Sequence, residues 1–374
     1  MQINTIIMRI MLVFLFLGAA DRILENRFSI GQEFEKGLMT AGKMLMVMTG
    51  MMVLAPLIGT HLSPILTPFF SMLGADPSMF ASCFLANDCG GAALAKELAN
   101  SPEVGLFSGL IVSSMLAPTL TFTIPISLGL VEPYQKPAVI YGIIAGIITI
   151  PIGSLLGGLT AGFNLSMMLR NLLPILMFSL TVLVAILIFK ERTTPFFIYL
   201  GRFFIGISIV GLCLGACVSI GDFVIIEGLA PIEDAFKVVG NIAVVLAGAF
   251  PLLCCLRRAA SGFFRTMSRL LNINEQSIAG FLACLANSLV TFEMMKKMDT
   301  RGLAMNAAFS VSAAFVLGDH LAFTAQYNPQ MVAPMIVAKL SAGILAVMLS
   351  IPMIHYLLPA SSGATSATRL ASKG

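Results

Sequence analysis

Residues 78–98, SMFASCFLANDCGGAALAKEL, form an apolar run that is interrupted at its centre by Asn87, Asp88 and a pair of glycines. The run is long enough to cross a bilayer as one helix, which needs about 20 residues. Each piece beside the interruption has only about nine residues, or roughly 13 Å of helix, and reaches about halfway through the hydrocarbon. The pattern is compatible with a broken span, but it fits a re-entrant hairpin better.

A second stretch has the same design. Residues 276–298, QSIAGFLACLANSLVTFEMMKKM, are interrupted at Asn287 and Ser288. The motifs shared by the two parts of the chain are LAN at 85–87 and 285–287, and LAPTLTFT at 116–123 against LGDHLAFT at 317–324. We interpret them as an internal repeat. A chance similarity between membrane helices rich in small residues is the alternative explanation, because the two halves of the chain align poorly outside these motifs.

The remainder of the 374-residue chain is equally apolar, with 58% hydrophobic residues, 11% charged residues and a mean hydropathy of +0.96. The predicted membrane spans are 4–20, 37–60, 104–130, 137–162, 168–190, 196–220, 232–256, 303–325 and 331–358. Together with the interrupted segments they predict an all-α polytopic membrane protein with about 9–11 transmembrane or re-entrant helical segments.

The charge and cysteine patterns argue against several other classes of protein. The net charge of +4 comes from loops and not from a basic stripe with interleaved aromatics, so no nucleic-acid partner is expected. The cysteines lack CxxC or zinc spacing, so we predict no metal site and no cofactor. Walker, HExxH and GxSxG motifs are absent, and Val316 breaks the GxGD pattern of intramembrane proteases. The chain is therefore not expected to be an enzyme.

The distribution of Lys and Arg indicates the topology, because cytoplasmic loops retain positive charge. If both interrupted segments re-enter and the N-terminus is outside, the basic residues fall mostly on the inner side. If only the second segment crossed, Lys296, Lys297 and Arg301 would lie outside. We therefore predict two inverted-topology repeats. The predicted divisions are a first repeat at 1–163, a linking helix at 164–194, a second repeat at 195–359 and a flexible tail at 360–374.

Polar residues at membrane depth are the candidates for a substrate site, because irregular backbone is tolerated there only inside protein or beside a wet cavity. Asn and Ser at such depth can also serve only to hydrogen-bond neighbouring helices. The residues that we predict to bind substrate are Asn87, Asp88, Thr119, Asn287, Ser288, Asp319 and His320.

Asp319 and His320 lie within the predicted span 303–325. An ionised carboxylate there costs about 2.5–3.5 kcal/mol on insertion scales unless it is paired or hydrated. Lys339 is the most deeply placed cation, so a structural ion pair between Lys339 and Asp319 is one hypothesis. The other is that Asp319 receives a cationic substrate or that His320 titrates in a proton path. Asp319, His320 and Lys339 are therefore also candidates for an ion pair or a proton path.

Three long blocks resemble bacterial ethanolamine permeases of the ethanolamine-utilisation system, and the likeness extends over nearly the full chain. The blocks are MLGADPSMFASCFLANDCGGAALAKELA (72–99), LACLANSLVTFEMMKKMDTRG (282–302) and AFSVSAAFVLGDHLAF (308–323). The resemblance implies a multi-pass protein of the bacterial inner membrane that admits ethanolamine. Its expected partners are ethanolamine and membrane lipid, and a homo-oligomer is left open.

Ethanolamine is a primary ammonium with one hydroxyl, so its site needs a carboxylate at one end and an amide or hydroxyl at the other. Phe122 or Phe323 could add a cation–π contact. The inverted repeat favours alternating access, with a midplane site between the repeats. Two alternatives stay open: a channel-like facilitator for ammonia or a small cation, and a non-transporting membrane partner of the pathway enzymes.

Overall fold

The computed structural model describes residues 3–189, 192–221, 223–259 and 261–357. The described residues are 85% helical, and no strand occurs among them. The α-helices are α1 (Ile3–Ile23), α2 (Gly31–Met39), α3 (Ala41–Met44), α4 (Gly50–Met72), α5 (Met79–Phe84), α6 (Ala92–Leu98), α7 (Pro102–Leu106), α8 (Leu116–Pro118), α9 (Ile124–Leu130), α10 (Lys136–Thr160), α11 (Leu165–Phe189), α12 (Thr193–Gly221), α13 (Ile232–Ala259), α14 (Ser261–Leu271), α15 (Glu275–Ala286), α16 (Ser288–Met294), α17 (Thr300–Ala313), α18 (Asp319–Tyr327) and α19 (Val332–Leu357). The tail predicted at 360–374 lies outside the described residues.

Seven helical stretches of the described chain are long and apolar enough to cross a membrane. They are Leu45–Met72, Pro102–Leu130, Pro133–Thr160, Leu165–Ala185, Ile198–Gly221, Ile232–Leu256 and Pro329–Ile354. Most of the predicted spans agree with these bounds to within several residues. The all-α polytopic class is therefore confirmed.

The predicted span at 37–60 is wrong in its bounds, because the apolar helical stretch runs from Leu45 to Met72. Its C-terminal part contains three prolines inside α4, at Pro56, Pro64 and Pro68. Proline usually ends or kinks a helix, since it lacks the N–H donor and its ring clashes with the preceding turn. Membrane helices tolerate it where neighbouring groups satisfy the freed carbonyls, so this continuation is not evident from the sequence.

The predicted span at 303–325 is also wrong as a continuous helix. α17 ends at Ala313, α18 begins at Asp319, and Phe315 between them has a φ of +61°. The N–H groups of Phe315 and Leu317 donate to the carbonyl oxygens of Cys284 and Leu285, at 3.0 and 2.8 Å. The break is stable at membrane depth because the second interrupted segment supplies these partners.

The first interrupted segment folds back on itself. The extended pair Leu85-Ala86 separates α5 from the following turn and α6. At the base of the segment, the backbone and side-chain N–H groups of Asn100 donate to the carboxylate of Asp76, at 3.0 and 2.9 Å. The segment therefore enters and leaves at the same end of the fold.

The second interrupted segment has the same form, and we call the two segments hairpin 1 (78–98) and hairpin 2 (276–298). The backbone N–H of Asn274 donates to the carboxylate of Asp299 at 2.8 Å and closes its base. Between the arms, the hydroxyl of Thr291 donates to the carbonyl oxygen of Gly280 at 2.9 Å. Its tip, like that of hairpin 1, contacts the break in the next helix along the chain.

The same order of elements occurs twice. Each hairpin is followed by a helix with a central break, in 102–130 and 300–327, and then by a short 3-10 turn that begins with proline and a long helix, α10 or α19. These two long helices pack closely: a Cβ at Gly153 would lie 2.5 Å from the carbonyl oxygen of Ala338, and the Thr149 hydroxyl donates to the Ala342 carbonyl oxygen at 3.0 Å. Small residues allow this approach. It brings Lys339, next to Ala338, beside the broken helices.

Candidate functional site

The tip of hairpin 1 carries Asn87 and Asp88 into the protein interior. Gly90 allows the sharp turn that follows, because its φ is +93° and a Cβ there would lie 2.4 Å from the Cβ of Met51. Asn87 is fully buried and Asp88 is 8% exposed. The turn thus places an amide and a carboxylate deep in the fold.

The second half of the chain meets this tip through α18. The break at 314–318 positions Asp319 in the first turn of α18, with His320 beside it. His320 Nε2 lies 3.7 Å from Asp88 Oδ1, and Asp319 interacts electrostatically with Asp88. Two carboxylates from separate halves of the chain, together with one imidazole, therefore form a single buried cluster.

Lys339 adds an ammonium group to the cluster. Its side chain is 1% exposed, and its Nζ donates to the carbonyl oxygen of Ser114 at 2.5 Å. This carbonyl lies in the break of the helical stretch 102–130, where the helix no longer supplies an intrahelical donor. Lys339 also interacts electrostatically with Asp88.

The ion pair between Lys339 and Asp319, one of the two hypotheses from the sequence, is not formed. None of the ion pairs among the described residues joins these two side chains. The break in the predicted span 303–325 places Asp319 at the start of α18, where it interacts electrostatically with Asp88, and Lys339 donates to the Ser114 carbonyl. Asp319 therefore has no direct ion-pair partner among the cations of the described chain.

Several buried polar atoms around the cluster lack a hydrogen-bond partner within the described chain. They are both amide atoms of Asn87, Asp88 Oδ1, the Ser288 hydroxyl, His320 Nδ1 and the Thr324 hydroxyl. Buried polar groups in proteins nearly always have a partner. Cys89 and Asp319 also keep partial exposure deep in the fold, which indicates an internal opening beside the cluster. Such an opening with unpartnered groups suits a small polar ligand.

Helical segments both end and begin around the cluster. Segments end at Phe84, Val112, Ala286 and Ala313. The next segments begin at Asn87, Leu116, Ser288 and Asp319. The partial negative charges of the first set and the partial positive charges of the second offset one another, so the preference for a cation rests on the two carboxylates.

Two of the predicted site residues have their polar groups engaged elsewhere. The Thr119 hydroxyl lies within hydrogen-bond distance of the carbonyl oxygens of Met115 and Val311, at 2.7 and 3.0 Å, and shares its one proton between the two broken helices. The side chain of Asn287 accepts from the backbone N–H of Leu289 at 2.9 Å and caps α16. Their contact with substrate stays a prediction.

An aromatic wall lies next to His320. The ring of Phe315 is 5.4 Å from the imidazole and 5.5 Å from the ring of Phe122. Phe323, the other aromatic residue proposed from the sequence, instead stacks on Tyr327 at 5.3 Å. Phe315 was not predicted, because its position depends on the break in the helix.

Sequence reasoning also missed Ser114, Cys89 and Thr324. Ser114 acts through its backbone carbonyl, which no side-chain pattern reveals. Thr324 lies one helical turn after His320 and so shares its face of α18, a signal that the spacing does contain. Cys89 follows Asp88 directly, but the cysteine spacing was used only to argue against a metal site and a cofactor.

Comparison with known proteins supplies the family context. A model of the family described as "Ethanolamine utilisation protein, EutH" matches residues 3–353. The chain is 44% identical over 358 residues to a "Probable ethanolamine permease EutH" of Listeria monocytogenes serotype 1/2a, covering 96% of both chains. It is 39% identical over 385 residues to the protein of the same name from Salmonella typhimurium, covering 93% of this chain and 94% of the relative. No solved structure matches.

Proposed function

Because this chain belongs to the EutH family of ethanolamine utilisation proteins, we propose that it is a permease that carries ethanolamine across the bacterial inner membrane. The observation that carries this proposal is the buried cluster of Asp88 and Asp319 with the unpartnered amide of Asn87. The cluster lies where two hairpin tips and two helix breaks meet, inside a multi-pass membrane protein.

The chemistry of the cluster matches the two ends of ethanolamine. The ammonium group lies between the carboxylates of Asp88 and Asp319, which no lysine of the described chain pairs with directly. The hydroxyl group then reaches the amide of Asn87, whose oxygen and nitrogen both lack partners. The ring of Phe315 lies 5.4 Å from the imidazole of His320 and is our candidate for a cation–π contact. A ligand as small as ethanolamine has few conformations, so a compact and rigid site can bind it.

Alternating access is the proposed mode of transport. The recurring order of hairpin, broken helix and long helix supports two repeats of inverted topology, with the site at their junction. In this scheme α11 links the repeats, and one repeat rocks against the other around the site. The hairpin tips then open the cluster to one side of the membrane at a time.

Inverted topology predicts which faces of the membrane the hairpin bases reach. Cysteines placed at Glu275 and Lys297, both exposed at the base of hairpin 2, should be labelled by an impermeant maleimide from the cytoplasm. A cysteine at Glu97, exposed near the base of hairpin 1, should be labelled only from outside. Each change is made in a chain without its native cysteines. If the cysteines at the Glu97 and Lys297 positions are labelled from the same face of the membrane, the inverted arrangement is contradicted.

Transport itself is tested by counterflow of labelled ethanolamine in proteoliposomes of the purified protein. We expect saturable uptake that unlabelled ethanolamine inside the vesicles accelerates, because a carrier returns faster when loaded. Close amino alcohols should compete, whereas ethylene glycol, which lacks the ammonium group, should not. A channel-like facilitator would show no acceleration, and a non-transporting partner would show no uptake beyond that of empty vesicles.

A further inference from the structure

The titratable groups of the cluster come from four separate elements. The titratable side chains that face one another there are Asp88 and Cys89 at the tip of hairpin 1, Cys284 in α15, Asp319 and His320 in α18, and Lys339 in α19. With both carboxylates ionised, Lys339 protonated, and the thiols and imidazole neutral, the site has one negative charge in excess. One bound ammonium cation neutralises it.

Without a bound ammonium, the site keeps this excess negative charge. An uncompensated charge at membrane depth is strongly unfavourable, because neither bulk water nor a counter-ion is available. Lys339 cannot supply a second charge, and its ammonium is already bonded to the Ser114 carbonyl. A carrier must nevertheless return through the membrane with its site empty of cargo. A proton is the cation that makes the smallest demand on the cluster, because it needs one lone pair, whereas a metal ion needs several oxygen ligands.

His320 and Asp88 are close enough for a small shift of either side chain to let them share that proton. Nε2 of the imidazole lies 3.7 Å from Asp88 Oδ1, and Nδ1 on its other side has no partner within the described chain. Imidazole can carry a proton at either nitrogen and release it at ordinary pH. An ammonium that approaches Asp88 competes for the same carboxylate oxygen. Proton and ammonium are therefore alternative occupants of one site.

We propose that this protein exchanges one ammonium cation for one proton, which the empty site holds between Asp88 and His320. The inference rests on the proposed transport function and adds the ion to which transport is coupled. On the outer side the ammonium binds and the proton leaves to water. On the inner side the ammonium leaves and one proton binds from the cytoplasm. One cation enters and one proton exits in each cycle, so no net charge crosses the membrane.

The exchange is measured in proteoliposomes that contain a pH-sensitive dye, with the membrane potential set by potassium and valinomycin. Addition of ethanolamine should make the interior alkaline by one proton per molecule taken up, and an interior-negative potential should leave the rate unchanged. Faster uptake under that potential, with no change in interior pH, would overturn the exchange mechanism but not the permease function. The absence of any protein-dependent uptake would overturn the permease function as well.

Carriage of the neutral amine would also make the interior alkaline, and the dependence on external pH separates the two. The neutral fraction of a primary amine falls about tenfold for each unit of pH below its pKa. If the neutral form is carried, the initial rate at fixed total ethanolamine should fall by that factor from pH 8 to pH 7 and again to pH 6. Exchange of the cation predicts a tenfold fall only over the range in which external protons outcompete the ammonium for Asp88, so the rate should stay nearly constant over at least one of the two steps. A tenfold fall at both steps would overturn the exchange. Protein-free vesicles give the leak to subtract.

His320→Gln tests the residue assigned to the proton. In counterflow the carrier crosses the membrane only with ethanolamine bound, whereas in net uptake it must also return without ethanolamine, holding the proton. We therefore expect net uptake to fall at least tenfold more than counterflow. His61→Gln is the matched control, because His61 is exposed on α4 and its Nδ1 contacts only its own helix, at the Leu57 carbonyl oxygen. Equal loss in both assays, or no loss in either, would contradict the assignment. If His320→Gln does not fold, the dye and pH measurements on the unaltered chain still decide.

Discussion

Asp319→Asn is expected to lower the affinity for ethanolamine at least about tenfold while leaving the protein folded. Asn has nearly the same shape but no charge, so the bound ammonium loses one of its two carboxylate partners. A hydrogen bond to a charged group contributes about 1.5–3 kcal/mol, which corresponds to roughly a 10- to 150-fold loss of affinity. The fold should tolerate the change, because Lys339 is held by the Ser114 carbonyl and Asp319 faces the like charge of Asp88. Counterflow and the thermal midpoint measure the two effects separately.

A matched control and a double variant make this result decisive. Glu103→Gln removes a carboxylate that is exposed in the first turn of α7, and transport should be unaffected. If Asp319 were instead the partner of Lys339, Asp319→Asn would lower the midpoint and the added change Lys339→Met would restore it. Normal counterflow by a folded Asp319→Asn protein would end the assignment and leave Asp88 as the main cation partner.

Gly318→Ala is expected to destabilise the protein strongly, although it adds only one methyl group. A Cβ at this position would lie 2.2 Å from the carbonyl oxygen of Ala286. The neighbouring Leu317 N–H is bonded to the Leu285 carbonyl oxygen at 2.8 Å, so the two backbones cannot separate without losing that bond. Overpacking of this kind typically costs about 1–3 kcal/mol, and a lost buried hydrogen bond costs about as much again.

The thermal midpoint of the purified protein measures this cost. Gly240→Ala is the control, because no atom lies within 4 Å of a Cβ at that position in α13 and alanine favours helix. Its midpoint should be equal to or above that of the unaltered chain, whereas that of Gly318→Ala should be clearly lower. Equal midpoints for both variants would mean that hairpin 2 and the break at 314–318 are not in close contact.

The general class of this protein was predictable from its sequence because that class depends on local properties. The length of each apolar run and the placement of a polar residue within it can be read along the chain without knowledge of any contact. The interruptions at 87–88 and 287–288 were found in this way, and so were Asp88, Asp319 and His320. The family resemblance rests on long blocks of the same kind and is confirmed by the family model.

The partners of these residues depended on the tertiary structure. Asp88 and His320 are 232 positions apart, and Lys339 reaches a carbonyl 225 positions away. That acceptor is a backbone group freed by a break in the helical stretch 102–130, and every residue type carries the same carbonyl. The break at 314–318 was missed because its sequence is apolar and its stability comes from hydrogen bonds to hairpin 2. Hydrophobicity along the chain determined which segments enter the membrane, and contacts between distant segments decided where the helices break and which charges meet.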